Sequence, residues 1–334
     1  MPTLSIRENF MRMLNKEEPE YLSDYTLFWA FGGPPIAFGN FDPESEGPIT
    51  DIFGVEQVMD SSGVTPAMMP KTSDFLLTDI TKWRDVVKLP TEEYDDSQWA
   101  AWAKEADDMR DPTLPQGGGI NLGNFQPLMS LMGFTEGLSA CFEEPEEVKA
   151  LMDYITSWSI KHTKRYLEYF KPDFGFLADD IAHERAPFMS VEMFRELIAP
   201  YWKAYYDLFT ERGIPVGHHN CGYFVPYLDD LLAMGVSFWD PVQASNDEPA
   251  LQAKYGRDLV LCCFPENRFW DETTTEEQVR TEFRAYWDVM APAGAVAANN
   301  YYMTTGIPGQ SDAQVLQGQW MADEFEKIRY SYYN

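Results

Sequence analysis

Short apolar runs alternate with helical segments from about residue 116 to the end of the chain. The apolar runs lack a polar face, which is typical of parallel strands covered by helices on both sides. The predicted strands are 119–122, 173–178, 214–218, 236–239, 259–264 and 294–298. The predicted helices, recognised by apolar residues three and four positions apart, are 127–132, 144–170, 190–211, 225–234, 249–255, 275–290 and 312–328.

The first 115 residues follow a less regular pattern. A short helix is predicted at 9–15 and an aromatic strand at 25–31, before a long region rich in Gly and Pro that contains a helix at 97–109. We therefore predict a single domain over 1–334. It divides into an N-terminal helix, first strand and long loops (1–115) and regular β/α repeats (116–334).

Six or seven strand–helix repeats in a chain of this length predict an α/β fold, the (β/α)₈ TIM barrel. A doubly wound open sheet is the alternative. The first strand is not followed by the G-x-G-x-x-G pattern of dinucleotide-binding folds, which weighs against that alternative.

Composition narrows the range of partners. The chain has 25 basic and 54 acidic residues and a formal charge of −29, so a nucleic acid backbone would be repelled. The acidic surface either serves solubility or docks a partner with basic patches. We find neither an apolar run long enough to predict a membrane span nor a secretory pattern at the N-terminus, and we expect a cytoplasmic protein.

Polar and metal-binding groups recur just after the predicted strands or, for Cys262 and Cys263, near the end of one. In a barrel these positions meet at one end, where catalytic residues are found. The residues concerned are Asp179, Asp180, His219, Cys221, Asp240, Gln243, Cys262, Cys263, Glu266, Asn299, Asn300 and Tyr301.

His219 and Cys221 are two residues apart at a strand end, so their side chains point the same way and both can meet one metal ion. A cysteine from another strand would complete three ligands and leave one position open, as in catalytic zinc sites. Only one of Cys262 and Cys263 can face inward, because side chains alternate along a strand. Spacing alone leaves a second interpretation open, in which the cysteines are small core residues.

The paired aspartates Asp179 and Asp180 also follow a predicted strand. We expect one of them to be buried and the other solvated. A carboxylate at this position either orients a ligand histidine, binds substrate, or caps a helix.

The order of motifs resembles the uroporphyrinogen decarboxylase superfamily, and within it the corrinoid-dependent methyltransferase branch. The similarity extends over nearly the whole chain. Its motifs are Arg7-Glu8-Asn9-Phe10, Gly54-Val55, Ala178-Asp179-Asp180-Ile181, Met193-Phe194, Pro200-Tyr201, His219-Asn220-Cys221-Gly222, Gly235-Val236, Asp240-Pro241-Val242-Gln243 and Tyr255-Gly256. Among these motifs, His219-Asn220-Cys221-Gly222 resembles the H-x-C-G zinc motif of that branch.

The lack of basic residues near the N-terminus favours methyl transfer over decarboxylation. The decarboxylases carry arginines near the N-terminus for porphyrin carboxylates, whereas this chain has no Arg or Lys between Tyr21 and Val55. The aromatic segment Phe28-Trp29-Ala30-Phe31 favours a substrate of apolar or aromatic character.

The resemblance implies a zinc-assisted methyltransferase that moves a methyl group from a small methylated substrate, preferably an aromatic methyl ether, to a corrinoid protein. His219, Cys221 and a third cysteine would hold the zinc. That cysteine is expected on the last strand, which here ends in Asn299-Asn300-Tyr301, so Cys263 is favoured in its place, with Gln243 or Glu266 as a fourth group.

The remaining residues of the implied site surround the substrate. Asp180 and Tyr301 would be catalytic, and the other substrate contacts are expected from Trp29, Phe31, Asp179, Gln243 and Asn300. The alternatives are methyl transfer from the corrinoid protein to a thiol or folate, a decarboxylase of the same superfamily, and a non-catalytic barrel that binds a small molecule. Whether the barrel forms a homodimer is left open.

Overall fold

The computed structural model describes residues 3–25, 34, 49–60, 67–71, 74–265, 273–299, 303 and 311–333. The helices in this part are α1 (Ile6–Leu14), α2 (Trp83–Val86), α3 (Asp96–Met109), α4 (Phe125–Met132), α5 (Phe134–Glu143), α6 (Pro145–Tyr169), α7 (Val191–Leu197), α8 (Ala199–Thr210), α9 (Leu228–Ala233), α10 (Glu248–Tyr255), α11 (Glu276–Met290) and α12 (Asp312–Ile328). The strands are β1 (Ser23–Tyr25), β2 (Ile49–Thr50), β3 (Glu56–Asp60), β4 (Ala67–Pro70), β5 (Gly117–Gly118), β6 (Phe174–Ala178), β7 (Ala182–His183), β8 (Ala186–Pro187), β9 (Val216–His219), β10 (Val236–Val242), β11 (Val260–Cys263) and β12 (Val296–Asn299).

Within these residues, seven strands form one parallel sheet in the order β1-β12-β11-β10-β9-β6-β5. In chain order, the last strand, β12, thus pairs with the first strand, β1, as in a closed barrel. A small antiparallel sheet (β2 to β4) precedes the repeats, and the hairpin β7–β8 follows β6. The predicted α/β barrel is confirmed.

The sheet curls around the aromatic ring of Phe10 on α1. The ring centroids of Tyr25 on β1, Phe174 on β6 and Phe238 on β10 lie 5.7, 6.2 and 5.5 Å from that of Phe10. In a flat sheet, β1 and β6 would be roughly 24 Å apart, since neighbouring strands are spaced by about 4.8 Å. Because one ring contacts both strands, the sheet encloses a core, and α1 covers its amino-terminal end.

Side chains alternate strictly between this interior and the helical layer outside. The interior cluster takes every second residue of the strands: Tyr25, Phe174, Phe176, Phe238, Val260, Cys262 and Ala297. Two positions further along their strands, Asp240 follows Phe238 and Asn299 follows Ala297. The interior therefore ends in polar groups at the carboxyl ends of the strands.

One predicted helix is divided in the structure, and one observed helix was not predicted. The helix predicted at 190–211 is divided into α7 and α8 at Ile198, whose backbone leaves the helical region two residues before Pro200. Proline cannot donate the backbone hydrogen bond that a continuous helix needs. Helix α5 was not predicted. No described helix has the length and apolar character required to cross a membrane.

Candidate metal centre

Three side chains at the ends of the neighbouring strands β6 and β9 converge on one point. Asp180, His219 and Cys221 each offer a ligand atom, and these atoms all lie within 4.8 Å of one another. The Cys221 Sγ is 3.7 Å and the Asp180 Oδ1 3.9 Å from the His219 Nε2. Zinc bonds of about 2.0–2.3 Å at tetrahedral angles would separate such donor atoms by roughly 3.3–3.8 Å. The chemistry and the spacing of this group fit a zinc ion.

The imidazole of His219 is oriented by a buried carboxylate. Its Nδ1 lies 3.0 Å from Oδ2 of Asp240, and the Asn299 side-chain amide donates to the other oxygen of Asp240 at 2.9 Å. With the proton on Nδ1 donated to Asp240, the lone pair of Nε2 faces Cys221 and Asp180. A carboxylate behind a ligand histidine is the usual arrangement that fixes tautomer and ring direction in metal sites.

The charges around this point favour a cation. Burial alone would lower the pKa of His219, but its hydrogen bonds with Asp240 and Cys221 and the charges of Asp240 and Asp180 raise it well above the ordinary value. Burial raises the pKa of the Cys221 thiol, which the neighbouring His219 partly offsets. A metal ion bound here would take the place of these protons.

The loop that carries Cys221 is held by the strands on either side. The Asn220 backbone amide donates to the Asp240 carbonyl at 3.0 Å, and its side-chain oxygen accepts from the Ile181 amide at 2.7 Å. Gly222 has φ +84°, and a Cβ there would lie 2.8 Å from the carbonyl oxygens of Ala182 and His183. Only glycine fits at this position, which accounts for the glycine after His-x-Cys.

Asp180 turns one oxygen towards the centre. Its Oδ1 accepts from the Cys221 amide at 2.7 Å, while Oδ2 accepts from the Gln126 side chain at 3.2 Å. Gln126 lies in the first turn of α4 and is exposed. Two donors thus fix the carboxylate, and Oδ1 is presented next to His219.

Asp179 is fully buried, whereas Asp180 is partly exposed, as expected for the pair. The carboxylate oxygens of Asp179 accept from the backbone amides of Asn124, Phe125 and Gln126 at 2.7, 2.9 and 2.8 Å and from Trp202 Nε1 at 3.0 Å. Burial raises the pKa of Asp179 to about 6, although these hydrogen bonds act to lower it. Asp179 caps α4, so the structure gives it a scaffolding role in place of the predicted substrate contact.

Gln243 supports the same loop. Its side-chain oxygen accepts from the Gly222 amide at 2.6 Å. This bond uses the oxygen that the sequence-based prediction offered to a substrate or to the metal, and it ties the end of β10 to the His-x-Cys loop.

The structure does not bring Cys263 to the metal centre, contrary to the prediction. Cys262 lies in the interior cluster, and Cys263 packs in the outer core, where its side chain bonds Tyr286 on α11. Alternation along β11 therefore directs Cys263 away from this group, and Asp180 lies beside His219 and Cys221 instead. The predicted site residues Trp29, Phe31, Asn300 and Tyr301, and also Glu266, lie outside the described residues.

Sequence reasoning missed the roles of Asp240, Asn299 and Gln126. It considered only the pair Asp179 and Asp180 for the orienting carboxylate, beside substrate binding and helix capping. The alternation of side chains along strands offered a signal for Asp240. Asp240 and His219 occupy equivalent positions near the ends of adjacent strands, where they are register partners. Gln126 carries no such signal, since its position depends on how α4 packs.

Replacing Asp240 by asparagine should weaken zinc binding by about 10- to 100-fold, the usual cost of losing such a partner. The amide accepts the His219 proton less strongly and leaves the ring less well oriented. Competition with a zinc chelator measures the change. The control is Asp207→Asn on α8, where the Asp207 carboxylate accepts from Lys203 far from this centre in sequence. Equal zinc affinities for Asp240→Asn and wild type would contradict the role of Asp240.

Comparison with known proteins supports the fold of the whole chain, and a family model matches its central part. Residues 113–257 match the family model "Uroporphyrinogen decarboxylase (URO-D)". The structure of a methyltransferase from Methanosarcina mazei is similar over 97% of this chain and 99% of that one, with a TM-score of 0.64 at 12% identity. A phosphotriesterase homology protein from Escherichia coli matches over 69% of this chain and 80% of that one, with a TM-score of only 0.30 at 11% identity. No curated protein matches.

Proposed function

We propose that this chain, a member of the uroporphyrinogen decarboxylase superfamily, is a methyltransferase that passes a methyl group from a small methylated substrate to a corrinoid protein. The observation that carries the proposal is the group of Asp180, His219 and Cys221, converging at the carboxyl ends of the barrel strands. Structural similarity to a protein named as a methyltransferase, over nearly the full length of both chains, supports the class.

The proposed metal is zinc, held by His219 Nε2, Cys221 Sγ and Asp180 Oδ1. Three protein ligands leave a fourth position for substrate, as in catalytic zinc sites. When bound, zinc would supply a Lewis acid that stabilises the negative charge developing on the departing atom of the substrate. The protein's own contribution is to hold the three donors in place through Asp240, Gln126 and the Cys221 amide.

The favoured substrate is an aromatic methyl ether. A carboxylate in place of a second thiolate makes the donor set harder, which suits an oxygen leaving atom better than a sulfur atom. In the reaction the bond between methyl carbon and ether oxygen breaks, and the oxygen keeps the electron pair as a phenolate. The corrinoid, as the methyl-accepting co-substrate, would supply the electron pair for the new bond to carbon. The negative charges of Asp180 and Asp240 disfavour the binding of a polycarboxylate substrate near the metal centre.

The first test of the proposal is metal retention. Wild type and His219→Ala are loaded with zinc, desalted and analysed for metal. Because His219 Nε2 is a central donor of the group, wild type should keep about one zinc per chain and the variant far less. The exposed histidine His183 provides the control, as His183→Ala should keep zinc like wild type. Equal retention by wild type and His219→Ala would remove the metal from the proposal.

The second test is activity. With 2-methoxyphenol as methyl donor and a reduced cobalamin-loaded carrier protein as acceptor, wild type should produce the free phenol and methylated cobalamin, and His219→Ala should not. Methylation of a thiol by the methylated carrier, without loss of methyl from 2-methoxyphenol, would contradict the proposed direction and substrate.

A further inference from the structure

Helix α5 exposes a row of apolar side chains. Phe134 is 48% and Phe142 73% exposed, and Leu138 lies between them, partly buried. The three residues are four positions apart, so they line one side of the helix over about 12 Å. We call Phe134, Leu138 and Phe142 the aromatic ridge. A contiguous exposed apolar patch with a polar border is typical of an interaction site.

One end of the aromatic ridge is connected to the metal centre through the hairpin β7–β8. The ring of Phe134 lies 5.0 Å from that of Phe188, which directly follows the hairpin β7–β8. The same hairpin packs on the His-x-Cys loop, since the His183 carbonyl accepts from the Tyr223 amide at 2.9 Å. A molecule seated on the aromatic ridge would therefore contact the hairpin that packs on the His-x-Cys loop.

The border of the ridge is acidic. Glu136, Glu143 and Glu144 are exposed, and none of them forms an ion pair with a described residue. A second copy of this chain, with its net charge of −29, would bring like charges together at a self-complementary contact. A different protein, with an apolar patch bordered by Lys and Arg, would meet both the ridge and its border.

We propose that the aromatic ridge is the docking surface for the protein that exchanges methyl groups with the metal centre. The partner carries an apolar contact patch with a basic border. The inference rests on the proposed function, in which the acceptor is a corrinoid carrier protein. Phe142 is the anchor that enters the partner's apolar patch, and the three glutamates accelerate and orient the encounter.

The experiment compares Phe142→Glu with wild type and with Val289→Glu. Val289 is 59% exposed on α11, so its variant matches the change in charge and exposure. Binding to the cobalamin-loaded carrier, purified from the organism that makes this chain, is measured by calorimetry. Methyl transfer is measured with the carrier and, separately, with free reduced cobalamin. Phe142→Glu should bind the carrier about tenfold or more weakly but keep its zinc and its activity towards free cobalamin.

A second variant tests the acidic border. Glu143→Gln combined with Glu144→Gln should weaken carrier binding and flatten its dependence on salt, because two charges are removed from the encounter. Wild-type binding that neither variant changes overturns the docking surface, as does a lack of carrier binding by wild type. A wild-type dimer that Phe142→Glu dissociates also overturns it, since the occupant would then be a second copy.

The two proposals fail separately. If wild type binds the carrier through the ridge but transfers no methyl group, the proposed function falls and the docking surface stands. If methyl transfer to the carrier proceeds equally in wild type and Phe142→Glu, the docking surface falls and the proposed function stands.

Discussion

Replacement of Asp180 by alanine should weaken zinc binding by about 100-fold or more. Structural sites bind zinc with a free energy of about 10–16 kcal/mol. The loss of one of three ligands should therefore cost roughly 3 kcal/mol or more of this free energy. Each 1.4 kcal/mol corresponds to about a tenfold change in affinity. The reason is geometric: Asp180 Oδ1 lies beside His219 Nε2 and Cys221, and the described residues place no other carboxylate or thiolate in this group. Chelator competition on the purified variant measures the loss.

Two cysteine variants make this result decisive. Cys221→Ala should lose zinc affinity to a similar extent, because it removes a donor of the same group. Cys263→Ala should bind zinc like wild type, since its thiol lies in the outer core beside Tyr286. The reverse pattern, with normal affinity in Asp180→Ala and weak binding in Cys263→Ala, would show that Cys263 is the third ligand after all.

Replacement of the neighbouring Asp179 by alanine should instead lower the free energy of unfolding by about 3–5 kcal/mol. The change leaves the buried amides of Asn124 and Phe125, the Gln126 amide and the Trp202 indole without their acceptor. Buried donors that lose a charged partner cost this much. Urea denaturation followed by tryptophan fluorescence and circular dichroism measures the change.

Asp180 provides the matched control for stability. It is the adjacent residue with the same side chain, but it is partly exposed and accepts only from Cys221 and Gln126. Asp180→Ala in the absence of metal should therefore cost no more than about 1.5 kcal/mol. Equal losses in the two variants would contradict the division between a scaffolding Asp179 and a metal-binding Asp180.

Much of the fold follows from local sequence pattern. The long helix predicted at 144–170 is observed as Pro145–Tyr169, and the strand predicted at 173–178 as Phe174–Ala178. Both depend on the periodicity of apolar residues within a short segment, which neighbouring residues determine largely among themselves. Helix α5 was missed because its exposed Phe134 and Phe142 obscure the polar face by which a surface helix is recognised.

The sequence by itself determined the parallel α/β barrel and the position of His219 and Cys221 on one side of a strand end, because both depend on repeats of two or of three to four residues. Only the tertiary structure decided which groups join them. Asp180 reaches the centre because β6 lies next to β9, and Asp240 because β10 pairs with the other edge of β9. Cys263 is kept out because β11 turns it towards α11. Contacts between distant segments depend on strand order, register and the face of each strand, so the sequence pattern alone could not place Asp180 beside His219 and Cys221.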